Sequence, residues 1–313
     1  MTQTSPLVLG AMLFGTRLDE QSSFDLLDRF VDGGGVWVDT ADCYAFWESG
    51  TGHGGQSETV LGRWLAARPG ARDRVKISTK VGAEPRWPGG WPEHFDGLST
   101  RAVRTAFEGS LRRLGTDHVD LLWWHTEDRA TGVEETVDAV APLVAAGQVL
   151  RVGASNHPAW RVERARAHAH ATGTVPVDAL QLSATYLRPR PGELPPGNVH
   201  PFGVLDDELR DYADVHALEL WAYTPLLSGA YDNPAKEVPE VYDHPGSTRR
   251  LEALTRVAKD LGVARGQVVL AWLLAHGIRP ILGGSRPEQL DAALAGVRLE
   301  LSAEDVRRLD LAA

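Results

Sequence analysis

The sequence predicts a single α/β domain that folds as a (β/α)8 TIM barrel over residues 1–313. Apolar runs of strand length alternate with stretches of helical periodicity from one end of the chain to the other. Eight such strand–helix pairs can be counted, which is the number that closes a parallel barrel. The chain has no linker or low-complexity block, and a length of 313 residues suits one barrel as well as two small domains.

The predicted strands are short apolar runs, as expected for parallel strands that are buried on both faces. In chain order they are Leu7–Leu9, Val36–Asp39, Val75–Thr79, Val119–Trp124, Leu150–Ala154, Ala179–Leu182, Leu218–Tyr223 and Pro280–Leu282.

Capping residues and glycines mark several of the predicted helices. Ser99 precedes one helical stretch, which stops at Gly115, and Gly33 follows the first helix. The helices paired with the eight strands are Ser22–Asp32, Ser57–Ala67, Ser99–Leu114, Val133–Ala146, Trp160–Ala171, Val204–His216, Ser247–Leu261 and Pro287–Leu294. Two additional helices are predicted near the C-terminus. Residues Arg265–His276 form an extra helix before the eighth strand, and Ser302–Leu311 form a closing helix.

Four residues with complementary chemistry fall on the predicted C-terminal rim of the barrel. Asp39, Lys80 and His125 stand at strand ends, and Tyr44 follows Asp39 by five residues. Active sites of such barrels are assembled on this rim. An ammonium lowers the pKa of a nearby phenol from its usual value near 10, and a carboxylate keeps that ammonium charged. The set therefore predicts a device that protonates an oxygen as it gains negative charge.

Each of the four residues could also have a purely structural role. Asp39 could cap a loop, Tyr44 could pack in the core, and Lys80 could be solvated. His125 could be a satisfied rim residue. Their joint placement at the rim on successive strands favours a site.

Charge and cysteine content exclude several classes of protein. A net charge of −10 argues against nucleic acid or an anionic membrane as the main partner. No run approaches 18 apolar residues and the N-terminus lacks a signal-peptide pattern, so a cytoplasmic protein is expected.

The single cysteine, Cys43, excludes an internal disulfide and a cysteine-based zinc site. With no HExxH motif or carboxylate cluster, we expect no metal. Oligomeric state stays open.

A glycine motif in the chain does not indicate a Rossmann fold. Gly50, Gly52 and Gly55 match G-x-G-x-x-G, but the preceding strand ends about ten residues earlier. We interpret this stretch as a flexible rim loop.

The strings VDTADCY, ISTK and DLLWWH resemble the aldo-keto reductase superfamily, and the resemblance extends from LVLGAMLFG to LSAEDVRRLD. It implies reduction of an aldehyde or ketone by hydride transfer from NAD(P)H. The implied catalytic residues are Asp39, Tyr44 as the acid, Lys80 and His125.

The resemblance also implies positions for the cofactor. Around the nicotinamide it places Ser155, Asn156, Gln181 and the stacking ring of Tyr223; along the pyrophosphate, Thr224, Leu226, Ser228 and Gly229; and at the adenosine phosphate, Ser285, Arg286 and Gln289. The planar guanidinium of Arg286 suits a 2′-phosphate, which favours NADPH, with NADH as the alternative. Arg249 is a weaker second candidate for that phosphate. The chain departs from the family at Ala292 and Ala293, where relatives carry a Glu-Asn pair that reads adenine.

Apolar and aromatic residues near the rim are candidates for the substrate pocket. They are Met12, Trp47, Trp87, Trp91 and Trp124. Aromatic faces stack on rings or sugar planes, although some of these side chains could merely pack the loops. The expected substrate is a small aldehyde or ketone, with sugars among the candidates.

Two other functions fit the same fold. A cofactor-binding regulatory subunit that senses redox state is one, because fold alone does not determine function. An enzyme that forms a Schiff base on Lys80 is the other. Such lysines need a depressed pKa, whereas Asp39 raises it.

Overall fold

The computed structural model describes residues 4–199 and 201–312, and it confirms the predicted barrel. Eight parallel strands pair in sequence order, and the eighth closes on the first. Their bounds are β1 Val8–Gly10, β2 Trp37–Asp39, β3 Lys76–Val81, β4 Leu121–Trp124, β5 Val152–Ser155, β6 Ala179–Ser183, β7 Glu219–Tyr223 and β8 Ile278–Leu282. Every bound lies within two residues of the prediction.

The helices surround this barrel in the expected order. They are α1 Glu20–Asp32, α2 Gln56–Ala67, α3 Ala71–Arg74, α4 Thr100–Leu114, α5 Val133–Ala145, α6 Ala159–Thr172, α7 Asp207–Val215, α8 Pro245–Leu261, α9 Arg265–Ala275, α10 Pro287–Gly296 and α11 Ala303–Asp310. None of these helices combines the length and the apolar character that a membrane crossing needs. The short helix α3 was not predicted.

Caps set the helix ends, as the sequence indicated for α4. The Ser99 hydroxyl accepts the Ala102 N–H, and Gly115 ends the helix at φ 63°. Helix α7 begins three residues later than predicted because the Asp206 side chain caps it by accepting the Leu209 N–H.

The two helices between β7 and β8 exchange the roles that we expected. Helix α9 packs against β8 and α10, and therefore occupies the barrel ring. Helix α8 packs against α9 and α11 and is the added element. The apolar sequence RGQVVLAWLLA explains the difference, because α9 is buried along most of its length.

Tryptophans fill the lower half of the barrel interior. The ring of Trp221 makes edge-to-face contacts with Trp37 and Trp123, at centroid distances of 5.1 and 5.2 Å. Gly153 makes room for them, since a Cβ there would lie 2.2 Å from a Trp123 ring carbon. These apolar side chains fill the lower interior of the barrel. Polar side chains therefore line only the upper rim of the interior.

Candidate active site

Polar side chains on the upper rim follow other inward-facing residues of the same strands by two positions. Side chains of a strand alternate between its faces, so a residue two steps beyond an inward-facing residue also points inward. The pairs are Trp37 and Asp39, Ser78 and Lys80, Trp123 and His125, Gly153 and Ser155, Ala179 and Gln181, and Trp221 and Tyr223. The rim set is therefore a direct consequence of strand geometry.

The Lys80 ammonium is the centre of the hydrogen-bond network. Its Nζ is completely buried and lies 2.5 Å from Asp39 Oδ2, 2.9 Å from the Thr40 carbonyl oxygen and 3.0 Å from Tyr44 Oη. An ammonium has three N–H donors, and these three acceptors use all of them. Because Tyr44 Oη accepts from Lys80, its own hydrogen is free to be donated to another group.

Asp39 is fixed by more than its ion pair. Its Oδ1 accepts a hydrogen bond from Ser78 Oγ at 2.6 Å and lies 3.3 Å from Gln181 Nε2. Burial alone would lower the pKa of Lys80, but Asp39 and Tyr44 outweigh burial and raise it above its ordinary value. Lys80 therefore stays charged throughout the physiological pH range.

The phenol of Tyr44 is neutral in this site. Burial raises its pKa to about 12, although the Lys80 ammonium acts in the opposite direction. We expected the lysine to lower the pKa below its usual value near 10, and that expectation is wrong for the net shift because burial is the larger effect. Tyr44 thus holds its proton until a stronger base develops next to it.

His125 completes the group at the barrel mouth. Its ring meets the Tyr44 ring edge-on at a centroid distance of 5.6 Å, and its backbone carbonyl accepts from Asn156 Nδ2 at 2.9 Å. Burial and the nearby Lys80 charge hold the pKa of His125 well below its ordinary value. A neutral imidazole carries one ring N–H and can donate one hydrogen bond to a substrate oxygen.

The residues assigned to the nicotinamide lie next to this group. Asn156 has left-handed backbone geometry, at φ 60°, and its Oδ1 lies 2.8 Å from Tyr223 Oη. Ser155 and Gln181 are buried beside it. The backbone of Gly203 packs closely against the Asn156 side chain, because a Cβ on Gly203 would lie 2.6 Å from Asn156 Oδ1. The structure therefore brings all four assigned side chains to the tetrad.

The segments assigned to the phosphates follow two adjacent strands, β7 and β8. Residues Thr224, Leu227, Ser228 and Gly229 all have positive φ angles. The ammonium of Lys236 donates to the Ser228 carbonyl and therefore adds a positive charge beside this loop.

The second segment opens helix α10. Arg286 occupies the N-cap position and is exposed, and no hydrogen-bond or ion-pair partner is found for its guanidinium within residues 4–199 and 201–312. Gln289 Oε1 accepts the Ser285 N–H at 3.1 Å. Arg249 is exposed on α8.

Several predicted pocket residues are exposed near the mouth. Met12, Trp47 and Trp87 are 39%, 48% and 49% exposed, which is unusual for large apolar side chains. The Trp47 ring lies edge-on to Tyr44 at 6.2 Å. Trp91 is half-buried against Phe46, at a centroid distance of 6.1 Å.

Trp124 is not brought to this site. Its ring is buried between the barrel and α5, where it lines a small gap with Val137 and Val140. The neighbouring Trp123 points into the barrel, so alternation along β4 turns Trp124 outward. The prediction that Trp124 shapes the substrate pocket is therefore wrong.

Sequence reasoning missed Ser78 and Lys236. Ser78 could have been found from its position two residues before Lys80, since both face the barrel interior. Lys236 carried a weaker signal, because lysine occurs at only four positions in this arginine-rich chain.

The chain is similar to known oxidoreductases over nearly its whole length. A family model described as Aldo/keto reductase family matches residues 6–313. The chain is 32% identical to an aryl-alcohol dehydrogenase of Pestalotiopsis microspora, in an alignment that covers 98% of this chain and 78% of that protein. It is 30% identical to the uncharacterized oxidoreductase YrpG of Bacillus subtilis (98% and 92% covered) and 31% identical to a norsolorinic acid reductase of Emericella nidulans (98% and 78% covered).

Proposed function

Because the chain belongs to the aldo/keto reductase family, we propose that it reduces an aldehyde or ketone with a hydride from NADPH, using Tyr44 as the acid. The observation that carries the proposal is the buried chain of contacts from Asp39 through Lys80 to Tyr44, with Nζ 2.5 Å from the carboxylate and 3.0 Å from the phenol. Such a chain suits proton delivery to an oxygen.

The rim residues fit a nicotinamide. Ser155, Asn156 and Gln181 offer amide and hydroxyl groups of the kind that a carboxamide pairs with, and the half-buried ring of Tyr223 offers an aromatic face. When bound there, the nicotinamide supplies a hydride to the carbonyl carbon. Gln181 also contacts Asp39, so the carboxamide site and the proton-delivery group share one network.

Proton delivery follows from the charges of the tetrad. As the substrate oxygen gains negative charge, Tyr44 Oη gives it the hydrogen that faces away from Lys80. An alkoxide is a stronger base than a phenolate, so this transfer is downhill even for a phenol with a pKa of about 12. The phenolate that remains is stabilised by the Lys80 ammonium already in contact with it. The neutral His125 ring can donate a second hydrogen bond to the same oxygen.

Phosphate recognition is proposed for the loops after β7 and β8. The Lys236 ammonium next to Ser228 supports pyrophosphate binding along residues 224–229. Arg286 adds an exposed guanidinium at the N-terminus of α10, where the helix dipole also favours negative charge.

The Arg286→Ala variant is expected to weaken NADPH binding by about 10- to 100-fold, the value of one charge-assisted phosphate contact, and NADH binding by less than about threefold. Fluorescence titration of both cofactors measures the difference. The matched control is Arg307→Ala, which removes an exposed arginine from a different helix, α11. Equal losses for NADPH and NADH would remove Arg286 from 2′-phosphate recognition.

The exposed aromatic rim favours substrates that carry a flat ring. Trp47 stands beside the proposed acid, Tyr44, at 6.2 Å between ring centroids, and one of the relatives is named for an aryl alcohol. We expect Trp47→Ala to raise KM for benzaldehyde by about 5- to 10-fold, the value of one lost aromatic contact, and to change KM for cyclohexanecarbaldehyde by less than about twofold. Steady-state kinetics of the wild type and the variant with both aldehydes measure these changes in KM. Parallel losses for the two substrates would argue against ring stacking on Trp47.

A further inference from the structure

A second cluster of chemically reactive side chains lies against the catalytic imidazole. Asp42 and Cys43 belong to the loop between β2 and Tyr44, and His125 follows β4. The Cys43 sulfur lies 3.3 Å from His125 Nδ1. A carboxylate oxygen of Asp42, the sulfur and a ring nitrogen of His125 all lie within 4.8 Å of one another. The proposed reduction uses neither Asp42 nor Cys43.

Asp42 gives the second, independent indication of a ligand. Its side chain is only 5% exposed, and neither carboxylate oxygen has a hydrogen-bond partner within the described part of the chain. A buried carboxylate without a partner is strongly destabilising, and native structures normally satisfy such groups. Burial first, and then the charges of Asp96 and Glu58, raise the pKa of Asp42 and so favour a carboxyl that keeps its proton unless a cation takes its place. A cation bound between Asp42 and its two neighbours would remove this penalty.

The sequence led us to expect no metal, because one cysteine cannot form a site built on cysteines alone. Against that expectation, we propose that Asp42, Cys43 and His125 form a mixed binding site for a divalent transition-metal ion of the Zn²⁺ class. Sulfur, imidazole nitrogen and carboxylate oxygen are the ligand atoms that Zn²⁺ takes in proteins, whereas Mg²⁺ and Ca²⁺ prefer oxygen alone. Three protein ligands leave the fourth tetrahedral position for water.

The observed spacing is close to what such an ion requires. Metal–ligand bonds of about 2.0 to 2.3 Å at tetrahedral angles separate the ligand atoms by roughly 3.4 to 3.6 Å. The sulfur–nitrogen separation of 3.3 Å is slightly shorter than this range, and the other two separations are at most 4.8 Å. A shift of about 1 Å in the Asp42 side chain therefore suffices to close the site, and rotation about its side-chain bonds can supply such a shift.

Metal binding at this site is an exchange of protons for an ion. The Cys43 S–H bond breaks and the sulfur–metal bond forms, a protonated Asp42 carboxyl likewise gives up its O–H proton as its oxygen binds the metal, and the protons leave to solvent with no change in oxidation state. Without a metal the thiol is a poor nucleophile, because burial and the nearby Asp42 and Glu84 raise its pKa well above the ordinary value. The cluster is therefore better suited to hold an ion than to attack a substrate.

Titration of the chelator-treated protein with Co²⁺ tests this site, because a cobalt–thiolate bond gives a charge-transfer absorption band that surface histidines do not give. We expect a band that saturates at one ion per chain. Cys43→Ser should abolish the band, and both Cys43→Ser and Asp42→Asn should weaken Co²⁺ binding at least about tenfold. His168→Ala, which removes a half-buried imidazole of α6 that pairs with Asp138 of α5, should leave the band and the affinity unchanged.

The wild-type spectrum decides the proposal even where a variant folds poorly. Absence of a thiolate band in the wild-type protein at excess Co²⁺ would overturn the proposed site. Wild-type affinity in a folded Asp42→Asn variant would also overturn it, because the unpartnered carboxylate would then take no part. Zn²⁺ should displace Co²⁺ and bleach the band, whereas a band that persists at excess Zn²⁺ would contradict a site of the Zn²⁺ class.

Discussion

Replacement of Tyr44 by phenylalanine should lower the turnover number for aldehyde reduction by about 10²- to 10⁴-fold, the usual contribution of a positioned general acid. The substitution removes one oxygen and keeps the ring that contacts Trp47 and His125. Since no assigned cofactor contact involves Tyr44, NADPH affinity should change by less than about threefold. Stopped-flow reduction at saturating cofactor, with a separate binding titration, measures both quantities.

The matched control for this variant is Tyr212→Phe. The Tyr212 hydroxyl is 2.8 Å from Glu163 on the outer surface of the barrel, far from any proposed chemistry. Its turnover should equal that of the wild type. Full turnover in Tyr44→Phe would refute the acid assignment, and loss of NADPH binding in that variant would attribute the effect to the cofactor site.

The pKa of Tyr44 also predicts how the reaction depends on pH. The acid must be protonated to act, so activity is lost only as pH rises through its folded-state pKa of about 12. The profile of kcat/KM for aldehyde reduction should therefore show no descending limb from Tyr44 near neutral pH. A descending limb between about pH 7 and pH 9 that disappears in Tyr44→Phe would show that Lys80 outweighs burial after all.

The Lys80→Met variant should lose reduction and should also lower the free energy of unfolding by about 3 to 5 kcal/mol. Both partners of the Lys80–Asp39 pair are buried, and Nζ lies 2.5 Å from the carboxylate. Removing the ammonium leaves a buried, uncompensated charge on Asp39. Urea unfolding followed by circular dichroism measures the stability change.

The double variant Asp39→Asn, Lys80→Met separates stability from chemistry. Removing both charges should restore most of the lost stability, because the neutral Asn–Met pair leaves no uncompensated charge in the buried site. Reduction should stay as low as in Lys80→Met, since nothing then stabilises the Tyr44 phenolate. Recovery of activity in the double variant would show that Lys80 acts only by keeping the fold intact.

Strand positions and the rim tetrad could be predicted from sequence because both follow from local pattern. Apolar runs define β1 to β8, and rim chemistry falls at their ends, as Lys80 and His125 illustrate. The predictions for Trp124 and for the role of α9 failed because they depended on packing contacts that one sequence does not specify. The choice between Trp123 and Trp124 required the inward face of β4, and the barrel role of α9 required knowledge of its partners.

The net pKa shift of Tyr44 could not be predicted for a related reason. The sequence identifies Lys80 as a neighbour, and its effect on the phenol has the expected sign. How far burial opposes that effect depends on packing. The same applies to the cluster of Asp42, Cys43 and His125, because His125 lies 82 residues from Cys43 in the chain and only the barrel brings them to 3.3 Å.

The transfer of deuterium from a labelled nicotinamide tests the central claim most directly. Wild-type protein, benzaldehyde and NADPH deuterated at the transferable position of the ring are combined, and the alcohol is examined by mass spectrometry. The account predicts one deuterium on the former carbonyl carbon, formed in step with NADPH oxidation and lost with Tyr44→Phe. Alcohol without deuterium, or no oxidation of NADPH with any aldehyde or ketone tested, would contradict the proposed reductase.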